Sequence, residues 1–268
     1  MKRVAYPIIP VIVFLTMQAL AGAVILLTDG EAEGFRNEQC ITNSSIFLGS
    51  ILVSGIATVG IIAMFKMIEW REVLNIQAIR WETGWLAVIA ALLGIYSLNI
   101  AAEMLALPDL MENTFINMAS TPLGWLTIGI AGPIVEEFVF RESVLGYMLR
   151  HQVKPWTAII LSAFIFGIIH LNPAQIPFAI GIGLVLGVIY YKTGNIVLTS
   201  TIHIVNNSAA VWQMYVMGTE MKEFSLIETM GGIIVSSTIM AASMTGCIWL
   251  LFYFWKNYKT KINYETIY

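Results

Sequence analysis

The sequence predicts an all-α, polytopic membrane protein of about eight transmembrane helices. Three observations carry this. The 268-residue chain is 58% hydrophobic and 12% charged, about half the charged fraction of a soluble domain. Eight apolar runs approach the ~20 residues that a helix needs to cross a hydrocarbon core. Basic and acidic loops also alternate along the chain, as they do when loops face opposite sides of a bilayer.

The runs cover residues 6–28, 46–66, 85–107, 119–146, 155–171, 174–191, 195–217 and 231–255. The first follows Lys2-Arg3, and Ala19-Leu20-Ala21 gives it a signal-peptide format. The apolar run continues through Leu27, however, so an uncleaved first span is expected. Between the second and third runs, a polar stretch with Glu69, Trp70, Arg71, Glu72, Arg80 and Trp81 reads as an amphipathic segment on the inner surface or as a connecting loop with aromatic anchors. The fourth span extends from Pro122 to Arg150, and Pro133 is expected to kink it. The fifth and sixth runs are short, and Asn172-Pro173 separates them as in a broken hairpin. Gly183 and Gly187 on the sixth, and Gly129 and Gly132 on the fourth, predict close helix contacts. The seventh run is unusually polar. The eighth carries Cys247, far in depth from Cys40, so no disulfide between them is expected.

Charge sets the expected orientation. With Lys2 and Arg3 inside, eight spans put 12 of the 14 basic residues on the inner side, leaving Arg36 and Lys222 outside. The outer loops are acidic, with Asp29, Glu31, Glu33, Glu38, Asp109, Glu112, Glu220, Glu223 and Glu228. Both termini are therefore expected to be cytoplasmic. The net charge of −3 and the lack of a basic stripe argue against nucleic acid as a partner. The expected partner surface is the lipid bilayer. Asn43-Ser44-Ser45 forms a glycosylation sequon in an outer loop, meaningful only in a secretory pathway. Nothing in the sequence specifies an oligomeric state.

Ionisable groups inside apolar spans are costly and mark functional sites. Three sets occur here. Glu136 and Glu137 precede Arg141, which meets Glu137 four residues on while Glu136 points about 100° away. Phe166 and His170 stand one turn apart, as do His203 and Asn207. Each set has a structural explanation by itself: an intrahelical ion pair, a histidine bonded to a backbone carbonyl, or hydrogen bonds between helices. Their overlapping depths favour a shared site. Glu136 lies ~20 Å from Arg150, His170 ~22 Å from Pro155, and His203 ~12–16 Å from the inner end of its span. His151, beside Arg150 and Lys154, reads as a solvated inner-surface residue.

The ordered motifs Glu136-Glu137-x-x-x-Arg141, Phe166-x-x-x-His170 and His203-x-x-x-Asn207 resemble those of the CPBP family of CAAX proteases and bacteriocin-processing enzymes, also called Abi. The branch most similar is the type II CAAX prenyl endopeptidases, intramembrane enzymes distinct from HExxH zinc proteases. The resemblance covers roughly 118–215 and extends to Tyr191-Lys192-Thr193-Gly194-Asn195-Ile196. It departs at Glu142, where the family commonly has glycine. The resemblance implies a catalytic cavity between the central spans and a membrane-associated protein or peptide substrate, prenylated CAAX-type chains among them. It implies that Glu136 and His170 activate a water, that His203 and Asn207 stabilise an oxyanion, and that Glu137 and Arg141 hold the fourth span in register. Glu136, His170 and His203 are also the candidate ligands for a catalytic Zn2+, since they offer one oxygen and two nitrogens. Metal-assisted and direct Glu/His activation both remain open at this level.

The expected organisation is an N-terminal transmembrane scaffold over 1–117, a catalytic core over 118–215, and a last transmembrane helix with a cytoplasmic tail over 216–268. Two other functions use the same residues: a non-catalytic scaffold or bacteriocin-immunity protein, and an ion-coupled transporter that relays protons through Glu and His. The chain lacks the internal repeat common in transporters.

Overall fold

The computed structural model describes residues 6–28, 45–73 and 81–258. Cys40, the Asn43 sequon, Lys2, Arg3, Arg36, Arg80 and the tail beyond Tyr258 lie outside them. The fold is all-α, and among the described residues there is no strand. Eight long helices occupy the positions of the eight apolar runs: α1 (Ile8–Thr28), α2 (Ser45–Met64), α3 (Trp81–Leu105), α4 (Pro122–Arg150), α5 (Pro155–Ile168), α6 (Gln175–Thr193), α7 (Ile196–Met217) and α8 (Ile233–Asn257). Among the described residues, five are long and apolar enough to cross a membrane: α2, the Gly84–Leu105 stretch of α3, α4, α6 and α8. Ile8–Ala23 and Pro155–Ile168 are shorter apolar stretches. The chain is an integral membrane protein.

The helices pack as α1 on α2, α3 on α8 and α5 on α6, with α6 also against α3 and α7 along the first half of α4. Two helices are enclosed by protein. In α4 every residue from Val139 to Gly146 is buried, and in α6 every residue from Val185 to Thr193 is buried. Large apolar side chains elsewhere, such as Ile56, Ile234, Trp249 and Phe252, are exposed as lipid-facing residues would be.

Small residues explain the tight central packing. A Cβ on Gly183 would come within 3.1 Å of Ala163, and one on Gly187 within 3.1 Å of Ile159. The G-x-x-x-G of α6 thus seats the helix directly on α5. The corner between α6 and α7 takes two residues. Gly194 adopts the left-handed conformation (φ 59°), and its N–H donates to the Tyr190 carbonyl at 2.7 Å. Asn195 then caps α7 by accepting from the Leu198 N–H at 2.8 Å. The Tyr191–Ile196 segment noted in the sequence is therefore a compact, buried helix corner.

Two expectations change. Helix α5 ends at Ile168, so His170 stands in a turn beyond it and not on the helix. Leu171 takes φ 52°, which no helix continues, and Pro173 follows. His151 is half-buried, with its ring stacked on Tyr147 at 3.9 Å and its Nδ1 2.9 Å from the Tyr147 carbonyl. It packs on its own helix as well as facing the surface, because the turn after α4 folds it back onto Tyr147.

Candidate active site

Helix α4 is built in segments. Residues Trp125–Ala131 and Phe138–Gly146 are π-helical, and the α-helical turn Gly132–Glu137 between them carries both acids. Pro133 explains the first segment. Its nitrogen has no hydrogen, so the carbonyl of Gly129 lacks its α-helical donor. The Gly132 N–H donates to Thr127, five residues back, so the Ile128 carbonyl lacks its usual donor as well. Helix α7 supplies both missing donors. Asn207 Nδ2 donates to the Ile128 carbonyl at 3.3 Å, and Ser208 Oγ to the Gly129 carbonyl at 3.2 Å. Such π segments recur at functional sites. Here the segment fixes the register of α7 against α4.

That register brings His203 to both acids. Its Nδ1 lies 3.0 Å from Glu137 Oε1, and its Nε2 lies 3.6 Å from Glu136 Oε2. Glu137 also pairs with Arg141, whose NH2 is 3.3 Å away. Glu137 and Arg141 are fully buried, while Glu136 keeps 19% of its side chain accessible. A carboxylate oxygen at Nδ1 places the proton there and leaves Nε2 facing Glu136. The adjacent acids thus have different roles, one orienting the imidazole and the other facing it across an opening.

Phe166 is the hub of the cluster. Its ring meets His170 edge-on at 5.0 Å, His203 at 5.8 Å and Phe140 at 5.1 Å, and the Arg141 guanidinium lies over it at 4.7 Å. The His170 Nδ1 donates to the Phe166 carbonyl at 2.8 Å, which leaves Nε2 as a proton acceptor. The carbonyl-bonded histidine considered from sequence is therefore present, yet its ring still belongs to the cluster. Among the described residues, His170 joins the cluster through Phe166 and not through a carboxylate. Glu136 has His203 as its imidazole neighbour instead.

The six sequence-chosen residues thus fall in one region. Glu136, Glu137, Arg141 and His203 form a continuous polar chain, with His170 joined by ring packing and Asn207 one turn further along α7. Among the described residues, no three His, Cys, Asp or Glu side chains are grouped to hold a metal ion. Glu137 engages His203 Nδ1 and the Phe166 carbonyl engages His170 Nδ1, which orients each ring and leaves its Nε2 for other work.

Glu142, the departure from the family pattern, is fully buried. Its carboxylate accepts from Tyr190 Oη at 2.5 Å, Arg150 at 2.9 Å and the Glu69 N–H at 2.9 Å. Arg150 also donates to the Met67 carbonyl at 3.1 Å. The network anchors the 67–73 segment to the end of α4, where Met67, Ile68 and Val73 are buried and Trp70 meets Phe138 at 5.9 Å. In this segment Met67, Ile68 and Val73 are buried while Trp70 keeps an exposed edge, and 74–80 lie outside the described residues. Sequence reasoning missed this network because its partners are 8, 48 and 73 residues from Glu142.

The fold is a bundle of apolar helices that encloses paired acids and imidazoles. Residues 118–209, about a third of the chain, match the family model described as type II CAAX prenyl endopeptidase Rce1-like. This segment is similar to the Rce1-like family, whose description is that of a prenyl endopeptidase. No curated protein and no solved structure matches the chain.

Proposed function

We propose that the chain is an intramembrane endopeptidase. It hydrolyses a peptide bond in a membrane-associated protein or peptide, with prenylated CAAX-type chains as the leading substrate class. One observation carries this reading: His203 of α7 stands between Glu136 and Glu137 of α4, 3.6 and 3.0 Å from their oxygens.

Glu136 is the general base, since it is the acid with an accessible edge. It takes a proton from a water held between its carboxylate and the imidazoles as the water oxygen attacks the scissile carbonyl. His170, whose ring packs edge-on against Phe166, is the second imidazole of the cluster. The tetrahedral oxyanion is met by the second N–H of Asn207, with His203 Nε2 beside it. As the C–N bond breaks, protonated Glu136 returns its proton to the leaving amine. Positioned acid–base groups of this kind contribute roughly 10²–10⁴-fold. An oxyanion donor contributes about 10²–10³-fold. Glu137 and Arg141 hold the imidazole and the helix. None of these steps passes through a metal ion.

The expected topology has both termini cytoplasmic, as the loop charges require. The test is cleavage by the purified chain, in nanodiscs, of a fluorogenic CAAX peptide with and without its prenyl group. The reading predicts cleavage that depends on the lipid group. An inert chain whose Glu136→Gln variant still protects cells from a bacteriocin would replace it with the immunity function. Proton-driven uptake that depends on Glu136 would replace it with transport.

A further inference from the structure

The turn that holds His170 is strained and locked from outside. Leu171, directly after His170, takes φ 52°, a left-handed backbone disfavoured for any residue with a Cβ. Its side chain is 71% exposed, so packing of that side chain does not hold the turn. The next residue does. Asn172 is completely buried, and both ends of its side-chain amide and its carbonyl are engaged. Its Nδ2 donates to Asp109 Oδ1 at 2.7 Å, and its Oδ1 accepts from the Leu110 N–H at 3.0 Å. Its carbonyl accepts from the N–H groups of Gln175 at 2.9 Å and Ile176 at 3.1 Å, the start of α6. Asp109 is itself fixed, since the same oxygen accepts from the Met111 N–H at 2.9 Å.

We propose that Asn172, with Asp109, is a positioning residue for His170. The amide clamps the loop after α3 onto the turn between α5 and α6 and compels Leu171 into its left-handed conformation. The His170 ring is then held edge-on to Phe166. Strained conformations persist where the surroundings over-determine them, and they cluster at active sites. The catalytic part of this inference rests on the proposed role of His170. The positional part does not.

The chain has three histidines, so ¹⁵N-histidine NMR of the full chain in detergent can be assigned with one His→Gln variant for each. Asn172→Ala should move the His170 ring resonances and leave those of His203 in place. On the CAAX peptide it should lower kcat by up to about 100-fold, the cost of a misplaced catalytic group, while KM stays within about twofold. Leu171→Gly in the Asn172→Ala background removes the strain, and should return the His170 resonances and part of kcat toward wild type. Should Asn172→Ala fail to fold, Asp109→Ala removes one clamp partner and should move the same resonances by less. Unmoved His170 resonances in whichever variant folds would overturn the inference, whatever happens to activity. Moved resonances in a chain that cleaves nothing would uphold the clamp while removing the proposed function.

Discussion

The His203 Nδ1 atom lies 3.0 Å from Oε1 of Glu137, and the same carboxylate is the ion-pair partner of buried Arg141. One acid therefore compensates a guanidinium on its own helix and orients an imidazole on another. Removing one partner of a buried ion pair is far costlier than replacing the whole pair with apolar groups. Glu137→Gln should destabilise the chain by about 3–5 kcal/mol, the range for a broken buried pair. Glu137→Gln combined with Arg141→Met should recover most of that loss. Thermal unfolding of the three variants in detergent checks this. Equal losses in single and double variants would contradict it.

The acidic pair and the two imidazoles were legible in the sequence because ionisable groups in apolar runs have few explanations. The eight helices were legible for the same reason, since runs of that length have little else to form. Pairing across helices was not. Spacing places Glu137 over Arg141, but it cannot show that His203 reaches both acids or that His170 ends in a turn. Those facts depend on the register of α7 against α4, which Pro133, Asn207 and Ser208 set together. Glu142 was visible only as an oddity, since two of its three partners, Tyr190 and Glu69, come from distant segments.

The carbonyls of Ile128 and Gly129 depend on α7 because Pro133 gives them no donor. Asn207→Ala and Ser208→Ala should each cost about 1–3 kcal/mol, the range for a buried polar group losing its partner. Pro133→Ala restores a backbone N–H to α4. That N–H can reach the Gly129 carbonyl, so it should shrink the effect of Ser208→Ala when the two are combined. Additive effects in that double variant, read from unfolding midpoints, would count against the account of the π segment.

Glu142 accepts three hydrogen bonds in a buried setting. A Cβ on Gly146 would lie 2.9 Å from both Arg150 and the Tyr190 hydroxyl, so this glycine makes room for the network. Glu142→Ala leaves the buried donors around it without their acceptor and should cost at least ~3 kcal/mol. Limited proteolysis should then cut near Met67–Val73, the segment the network anchors. Protection equal to wild type would show that the anchor lies elsewhere.

Gly187 packs against Ile159 and Leu145 at the centre of the bundle. Gly187→Leu should overpack the contact between α5 and α6, at a cost of ~1–3 kcal/mol or more. Gly22, with open space where a Cβ would stand, should accept alanine without penalty. Unfolding midpoints of the two variants make the comparison.

The most direct test is the single-turnover cleavage rate of a prenylated CAAX peptide by wild-type chain and by Glu136→Gln, each with and without a strong zinc chelator. The account predicts a rate lowered by ~10²–10⁴-fold in Glu136→Gln, the contribution of a positioned base. It also predicts an unchanged unfolding midpoint in that variant and a wild-type rate unaffected by the chelator. Full cleavage by Glu136→Gln would contradict the claim that this acid activates the water. Loss of wild-type cleavage on chelation, restored by added zinc, would contradict direct activation by glutamate and histidine alone.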